Sequence, residues 1–341
     1  MHITHEIVPV RTRHPFAIAR GVTSEYRTMT VRVADADGGE GWGEAAPNRF
    51  YGETVETVAA VLPRLEAALE GLDPWHLDAA EARMNAAIRQ NGAAKSAVSA
   101  ALHDLAAKRL GVPLYRMWGL DPAAAPASSF TIGIPPNDAE LRARVAEAAE
   151  YPVLKIKLGS ARDEAILRTV REVAPDKVLR VDANAAWTPK HAVRMAHRLA
   201  DVYGVEFLEQ PVAAHDVEGL RFVRERAPLP VIADESCVTS ADIPRLVGAV
   251  DGINIKLAKC GGLREAIRMV HAARAHGLLV MAGCMIETSL GIAAAAHLAP
   301  LLDFADLDGA ALLADDPYAG ASIAGGRIAL PGAPGLGVTR R

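Results

Sequence analysis

Apolar and polar positions along this chain follow one pattern up to about residue 120 and another beyond it. In the first part, residues 28–34 alternate as a half-buried strand, 35–39 (Asp-Ala-Asp-Gly-Gly) read as a turn, and 41–45 form a second strand candidate. Helical periodicity then runs over 55–70, 77–89 and 93–110. A linker at 121–126 follows, and from there short continuous apolar runs alternate with helical stretches. The runs predict strands at 130–134, 153–158, 178–182, 205–209, 231–234, 252–257, 279–284 and 304–307. Strands this uniformly apolar, separated by helices, belong to a parallel sheet covered on both faces. The predicted fold is therefore α/β, a (β/α)7β or (β/α)8 TIM-like barrel. An N-terminal α+β capping domain is expected over 1–120, the barrel with its active site over 121–314, and a Gly- and Pro-rich segment over 315–341. That last segment, with a short strand at 327–330, is expected to return to the capping domain and complete it.

Composition narrows the function. The 341 residues carry a net charge of −4 with no block of one sign, which argues against nucleic acid or an anionic membrane as partner. Half the residues are hydrophobic, enough for a large core. The first twenty residues alternate polar and apolar without the apolar centre of a signal peptide, and no run reaches the length of a membrane span. Three cysteines (Cys237, Cys260, Cys284) and scattered histidines show no metal spacing or disulfide framework. A cytoplasmic enzyme working on a small molecule, and a homo-oligomer, is the expectation.

Five motifs end successive strands of the predicted barrel: Lys155-Ile156-Lys157, Asp182-Ala183-Asn184, Glu209-Gln210-Pro211, Asp234-Glu235-Ser236 and Asn254-Ile255-Lys256. From Lys157 to Asp182 is 25 residues, to Glu209 a further 27, to Asp234 25, and to Lys256 22, each close to one strand–helix unit. Equivalent strand ends form the active-site face of such a barrel. A single acid at a strand-to-helix junction would be taken as a helix cap. Three in consecutive units would repel one another and push their pKa values up unless a cation lay between them. Asp182, Glu209 and Asp234 are thus expected to bind one Mg²⁺ per subunit, a hard ion that takes oxygen ligands. Asn184 could orient Asp182 from behind.

Lys155 and Lys157, two apart on one strand, share a face. Their apolar neighbours do not suit surface lysines. A second cation beside Lys157, together with the metal, favours its neutral, basic form. Lys256 lies across the barrel on the sixth strand. Two opposed lysines can address the two faces of one carbon, removing a proton from one side and returning it on the other.

This series resembles the enolase superfamily in its muconate-lactonizing-enzyme subgroup, where KxK, Asp/Glu/Asp and Lys occupy these strands. A lysine base working with Mg²⁺ on an ene-diolate is a pattern known for that superfamily. On the eighth strand, Asp306-Leu307-Asp308 is similar to the Asp-x-Asp of the dipeptide epimerases. The resemblance implies that this pair binds a substrate ammonium, a role two acids on one strand face can fill. Residues 15–21 (PFAIARG), 49–53 (RFYGE), 233–237 (ADESC) and 283–285 (GCM) resemble the L-Ala-D/L-Glu epimerases of Gram-negative bacteria. Val22 replaces the Ser of that branch, and residues 285–289 (MIETS) are closer to the Bacillus type. The implied substrate is a dipeptide, with L-Ala-D/L-Glu from murein turnover as the expectation. Thr131 and Arg20 are further candidate substrate contacts. The alternatives are an epimerase of different side-chain preference, a cycloisomerase or o-succinylbenzoate-synthase type of lyase, and a non-catalytic metal-binding barrel. Asp306 and Asp308 argue against the lyases, whose substrates carry no ammonium. The intact lysine set argues against the non-catalytic barrel.

Overall fold

The computed structural model describes residues 1–341. Eight parallel strands, β4 (Phe130–Ile132), β5 (Val153–Lys157), β6 (Val178–Asp182), β7 (Val205–Glu209), β8 (Val231–Ala233), β9 (Gly252–Ile255), β10 (Leu279–Gly283) and β11 (Phe304–Asp306), pair in chain order. A parallel bridge from Ser128 to Ala305 closes the ring. Seven helical connections lie between the strands, and after β11 there is only a 3₁₀ turn, Gly309–Leu312, so the barrel is (β/α)7β. The helices follow the expected stripes. In Asp163–Val173, Ile166, Leu167 and Val170 are buried while the acidic first turn faces the positive end of the helix dipole. Pro189 starts the helix Pro189–Asp201, where its missing N–H costs no hydrogen bond. The barrel core is a cluster of 63 buried apolar residues, and a separate cluster of 20 lies under the N-terminal sheet.

That N-terminal sheet has three antiparallel strands, β1 (His2–Ile18), β2 (Gly21–Ala34) and β3 (Glu40–Ala45). The strand expected at 28–34 is longer and starts at Gly21, and β1 had not been assigned at all. The first twenty residues do alternate, but Pro9 and Pro15 argue against a strand, and a register shift between Arg11 and Phe16 interrupts the pairing. The helices Val55–Ala68, Leu77–Ala87 and Gly92–Arg109 cover the sheet. β3 lies directly on the last of these. A Cβ on Gly41 would fall 1.9 Å from the Ala101 carbonyl oxygen, and one on Gly43 2.1 Å from that of Ala97, so only glycine permits this approach.

The tip of the β1–β2 ribbon reaches the barrel mouth, where the Ile134 N–H donates to the Ala17 carbonyl at 2.8 Å. The C-terminal segment binds both parts. Tyr318, Ala321, Ile328 and Leu336 join the barrel core. The Tyr318 hydroxyl bonds Thr30 at 2.6 Å, and Arg340 forms a forked ion pair with Glu6. The short strand β14 (Arg327–Ala329) pairs with β13 (Ser322–Ala324) in its own hairpin rather than extending the three-stranded sheet, and β12 (Tyr318–Ala319) pairs with β15 (Thr339–Arg340). No helix is long and apolar enough to cross a membrane.

Candidate active site

Parallel pairing puts Lys157, Asp182 and Glu209 level with one another on β5, β6 and β7. Asp234 follows β8 directly. The three acids are buried, and one carboxylate oxygen from each lies within 4.8 Å of the others. Each acid has a donor behind one of its oxygens. The Asn184 N–H donates to Asp182 Oδ1 at 2.7 Å, the Asn254 amide to Glu209 Oε1 at 2.8 Å, and Lys259 Nζ to Asp234 Oδ1 at 2.6 Å. The opposite oxygens face the lysines. Asp182 Oδ2 is 2.6 Å from Lys157 Nζ, Asp234 Oδ2 is 2.8 Å from Lys256 Nζ, and Glu209 Oε2 is 2.7 Å from Lys155 Nζ. That last contact is an ion pair without an aligned hydrogen bond. Three hard oxygens converging in a buried site, one of them without a hydrogen bond of its own, suit Mg²⁺.

The field here is steep. Burial opposes ionisation of Asp234 and Asp182, yet the adjacent lysines hold both carboxyls below their usual range. For Glu209, burial and then Asp182 prevail, and its carboxyl is pushed up to about 7. Lys155 is fully buried, which disfavours its charge, but Asp306, Glu209 and Asp182 around it outweigh burial and keep it protonated. Its ammonium lies 2.7 Å from Asp306 and 3.4 Å from Asp182, so its charge is directed at the acids more than at Lys157. Lys256 follows β9, and β10 makes room for it: a Cβ on Gly283 would stand 3.1 Å from Lys256 Cε and 2.9 Å from the Asn254 amide.

Asp306 ends β11, whereas Asp308 lies beyond the strand at the head of the 3₁₀ turn. Both are buried, and only Asp306 lies on the strand, so the two acids expected together on one strand face are instead split between the strand end and the turn after it. The Ser129 hydroxyl donates to Asp306 Oδ1 at 2.6 Å and the Thr131 N–H to Asp308 Oδ2 at 2.6 Å. The Thr131 hydroxyl stands 3.3 Å from both aspartates. Despite burial, Lys155 draws the Asp306 carboxyl down to about 2. Burial and then Asp306 push Asp308 up to about 7. Arg20, at the ribbon tip, donates to the Asn184 carbonyl at 2.9 Å and to Glu235 at 2.8 Å, and stacks over Phe50 at 4.6 Å.

Several residues that build this mouth were not singled out from the sequence. Lys259 was one, although its spacing of three from Lys256 puts both on one side of a helical turn. Asn254 was quoted only as part of a lysine motif. Gln210 ties two loops together: its side-chain Oε1 accepts from the N–H groups of Asp234 at 2.9 Å and Ser236 at 3.1 Å. Gln210, Asn184 and Ala185 all adopt positive φ, strain of the kind concentrated at functional sites and invisible in these residue types.

The chain matches two family models, the mandelate racemase / muconate lactonizing enzyme N-terminal domain over residues 2–119 and the enolase C-terminal domain-like family over 138–341. It is 40% identical over 343 residues to the L-Ala-D/L-Glu epimerase of Bacteroides thetaiotaomicron, covering 100% of this chain and 88% of the relative. It is also 40% identical to the hydrophobic dipeptide epimerase of Roseobacter litoralis, covering 97% and 96%. The structure superposes on the dipeptide epimerase of Enterococcus faecalis, solved with Mg and L-Leu-L-Tyr, with a TM-score of 0.93 at 34% identity, over 99% of both chains.

Proposed function

Because the chain belongs to the mandelate racemase / muconate lactonizing enzyme family of the enolase superfamily, we propose that its barrel mouth carries out Mg²⁺-dependent epimerisation of a dipeptide at the α-carbon of the C-terminal residue. The observation that carries this reading is the arrangement of two lysines, Lys157 and Lys256, on opposite sides of the buried acid cluster, with the buried acid pair Asp306 and Asp308 in the same barrel mouth. Asp182, Glu209 and Asp234 hold the cation, which when bound supplies positive charge to the substrate carboxylate and so acidifies the neighbouring α-proton. Lys157 takes the proton from one face and Lys256 delivers one to the other, with roles exchanged for the opposite stereoisomer. Lys155 stays cationic and braces Glu209 and Asp306. Asp306 and Asp308 bind the substrate's N-terminal ammonium, with Thr131 and Ser129 holding them in place. An ammonium-binding acid pair is of no use to a lyase acting on substrates without an amine.

For the side chain, L-Ala-D/L-Glu is the leading choice, in peptide turnover of the cell wall and in the cytoplasm. Arg20 supports it, because a guanidinium at the mouth suits a γ-carboxylate. A hydrophobic dipeptide is the second reading. Glu235 already answers the charge of Arg20, and Phe50 and Val22 beside it are exposed, at 42% and 65%. A dipeptide library incubated with the enzyme in D₂O and Mg²⁺, and read by mass spectrometry, separates the two. Deuterium uptake is expected foremost in L-Ala-L-Glu. Uptake foremost in pairs such as L-Leu-L-Tyr would give the second reading precedence, and no uptake in any dipeptide would refute both.

A further inference from the structure

Asn254 and Lys259 come from the same short stretch of chain, one on β9 and one on the helical turn Leu257–Cys260. Each grips the outer oxygen of one acid. The Asn254 amide holds Glu209 Oε1 at 2.8 Å, and Lys259 Nζ holds Asp234 Oδ1 at 2.6 Å. Lys259 is fully buried, and it also donates to the carbonyls of Asp234, Cys237 and Asn254 at 2.7, 3.0 and 2.9 Å. Its position is therefore fixed by backbone on both sides, and the Asp234 carboxylate cannot turn without breaking that contact. Asp182 is restrained in the same manner, but by the backbone N–H of Asn184. Asn184 also reaches the second oxygen of Asp182, at 3.2 Å, whereas for Glu209 and Asp234 the donor behind holds one oxygen and the other faces a lysine.

We infer that Asn254 and Lys259 set the metal preference of this site, by allowing Glu209 and Asp234 to offer one oxygen each and so favouring Mg²⁺ over Ca²⁺. The inference rests on the reading of Asp182, Glu209 and Asp234 as the metal ligands. Mg²⁺ demands near-octahedral geometry at short range, which single oxygens satisfy. Ca²⁺ takes more oxygens at longer range and accepts both oxygens of one carboxylate. A carboxylate whose outer oxygen is held by a buried donor cannot swing into the second mode. Freed of that donor, it can. The two residues are positioning groups that act on the ion only through the acids.

The ratio of the two dissociation constants tests this better than either alone. Removing the Lys259 cation changes the field felt by any divalent ion, but Mg²⁺ and Ca²⁺ carry the same charge, so that effect cancels in the ratio to first order. Asn254→Ala removes no charge and keeps the test open if Lys259→Met fails to fold. Calorimetric titration of the metal-free enzyme with MgCl₂ and with CaCl₂ would be run on wild type, Asn254→Ala, Lys259→Met and Asp234→Asn, with thermal unfolding to show that each is folded. Wild type should prefer Mg²⁺, and that preference should shrink at least tenfold in Asn254→Ala and in Lys259→Met. A folded Asn254→Ala with an unchanged ratio overturns the inference, as does a wild type with no preference. Asp234→Asn should weaken both ions together. Undiminished binding of both in that variant would remove the ligand reading itself, and this inference with it.

Discussion

Two groups of buried acids share the mouth of this barrel, and they are built differently. In Asp182, Glu209 and Asp234, a donor behind each residue holds one oxygen, and one carboxylate oxygen from each lies within 4.8 Å of the others. In Asp306 and Asp308, hydroxyls and a backbone N–H hold the carboxylates side by side, and their acidities separate, one near 2 and the other near 7. The first group concentrates negative charge on a point, as a small divalent ion requires. The second spreads it along a wall, as an ammonium requires. Lys155 lies between them, 2.7 Å from Glu209 and 2.7 Å from Asp306, and couples the two. Residue type alone does not assign these roles. The donors behind each oxygen distinguish the two proposed roles.

The contrast makes the first group the more sensitive to substitution. Asp182→Asn, Glu209→Gln or Asp234→Asn should each cut kcat/KM by roughly 10³-fold or more, because the cation contributes several kcal/mol to a developing charge. EDTA should abolish turnover and Mg²⁺ restore it. Steady-state assays with and without chelator check both, and full activity in metal-free enzyme would erase the distinction between the two groups. Lys157→Ala and Lys256→Ala come next. Loss of a general acid or base typically costs about 10²–10⁴-fold, here expected in kcat with little change in KM.

A smaller effect is expected in the second group. Asp306→Asn and Asp308→Asn each remove one charged partner of an ammonium, a loss of about 1.5–3 kcal/mol, or roughly ten- to a hundredfold in kcat/KM. Mg²⁺ affinity by calorimetry should hold in Asp308→Asn. N-acetylation of the dipeptide should reproduce the defect in wild type, and equal turnover of acetylated and free dipeptide would contradict the ammonium reading.

The smallest effect concerns pH. Burial and the charge of Asp306 raise the pKa of Asp308 to about 7, so below that pH it is protonated and offers the ammonium no full charge. KM should therefore fall, by less than about tenfold, as pH rises from 6 to 8, and this dependence should vanish in Asp308→Asn. A KM profile with the same slope in both enzymes would count against the assignment.

Much of the barrel was legible, because parallel strands buried on both faces must be apolar throughout and their motifs return with every strand–helix unit. The strands 178–182 and 205–209 match to the residue. The β1 strand showed only as an alternation over the first twenty residues, because Pro9 and Pro15 within it argue against a strand. At the site, Asp182, Glu209 and Asp234 stand out because chemistry puts one acid in each of three successive units. Lys259 does not, because a lysine in a helical turn normally faces water, and only the fold reveals that this one is enclosed by three carbonyls and a carboxylate. The acid pair Asp306 and Asp308 depends on Ser129 and Thr131, which are distant in sequence and meet them only when the first and last barrel strands close.

The central claim is that two lysines address opposite faces of one α-carbon. It is tested most directly by following the α-proton of L-Ala-L-Glu and of L-Ala-D-Glu in D₂O by NMR, with wild type, Lys157→Ala and Lys256→Ala. Wild type should exchange the α-proton of both diastereomers and interconvert them. Each single variant should cease to epimerise yet still exchange the proton of one diastereomer, and the two variants should retain opposite ones. Epimerisation at near wild-type rate in either variant, or retention of the same diastereomer by both, would contradict it.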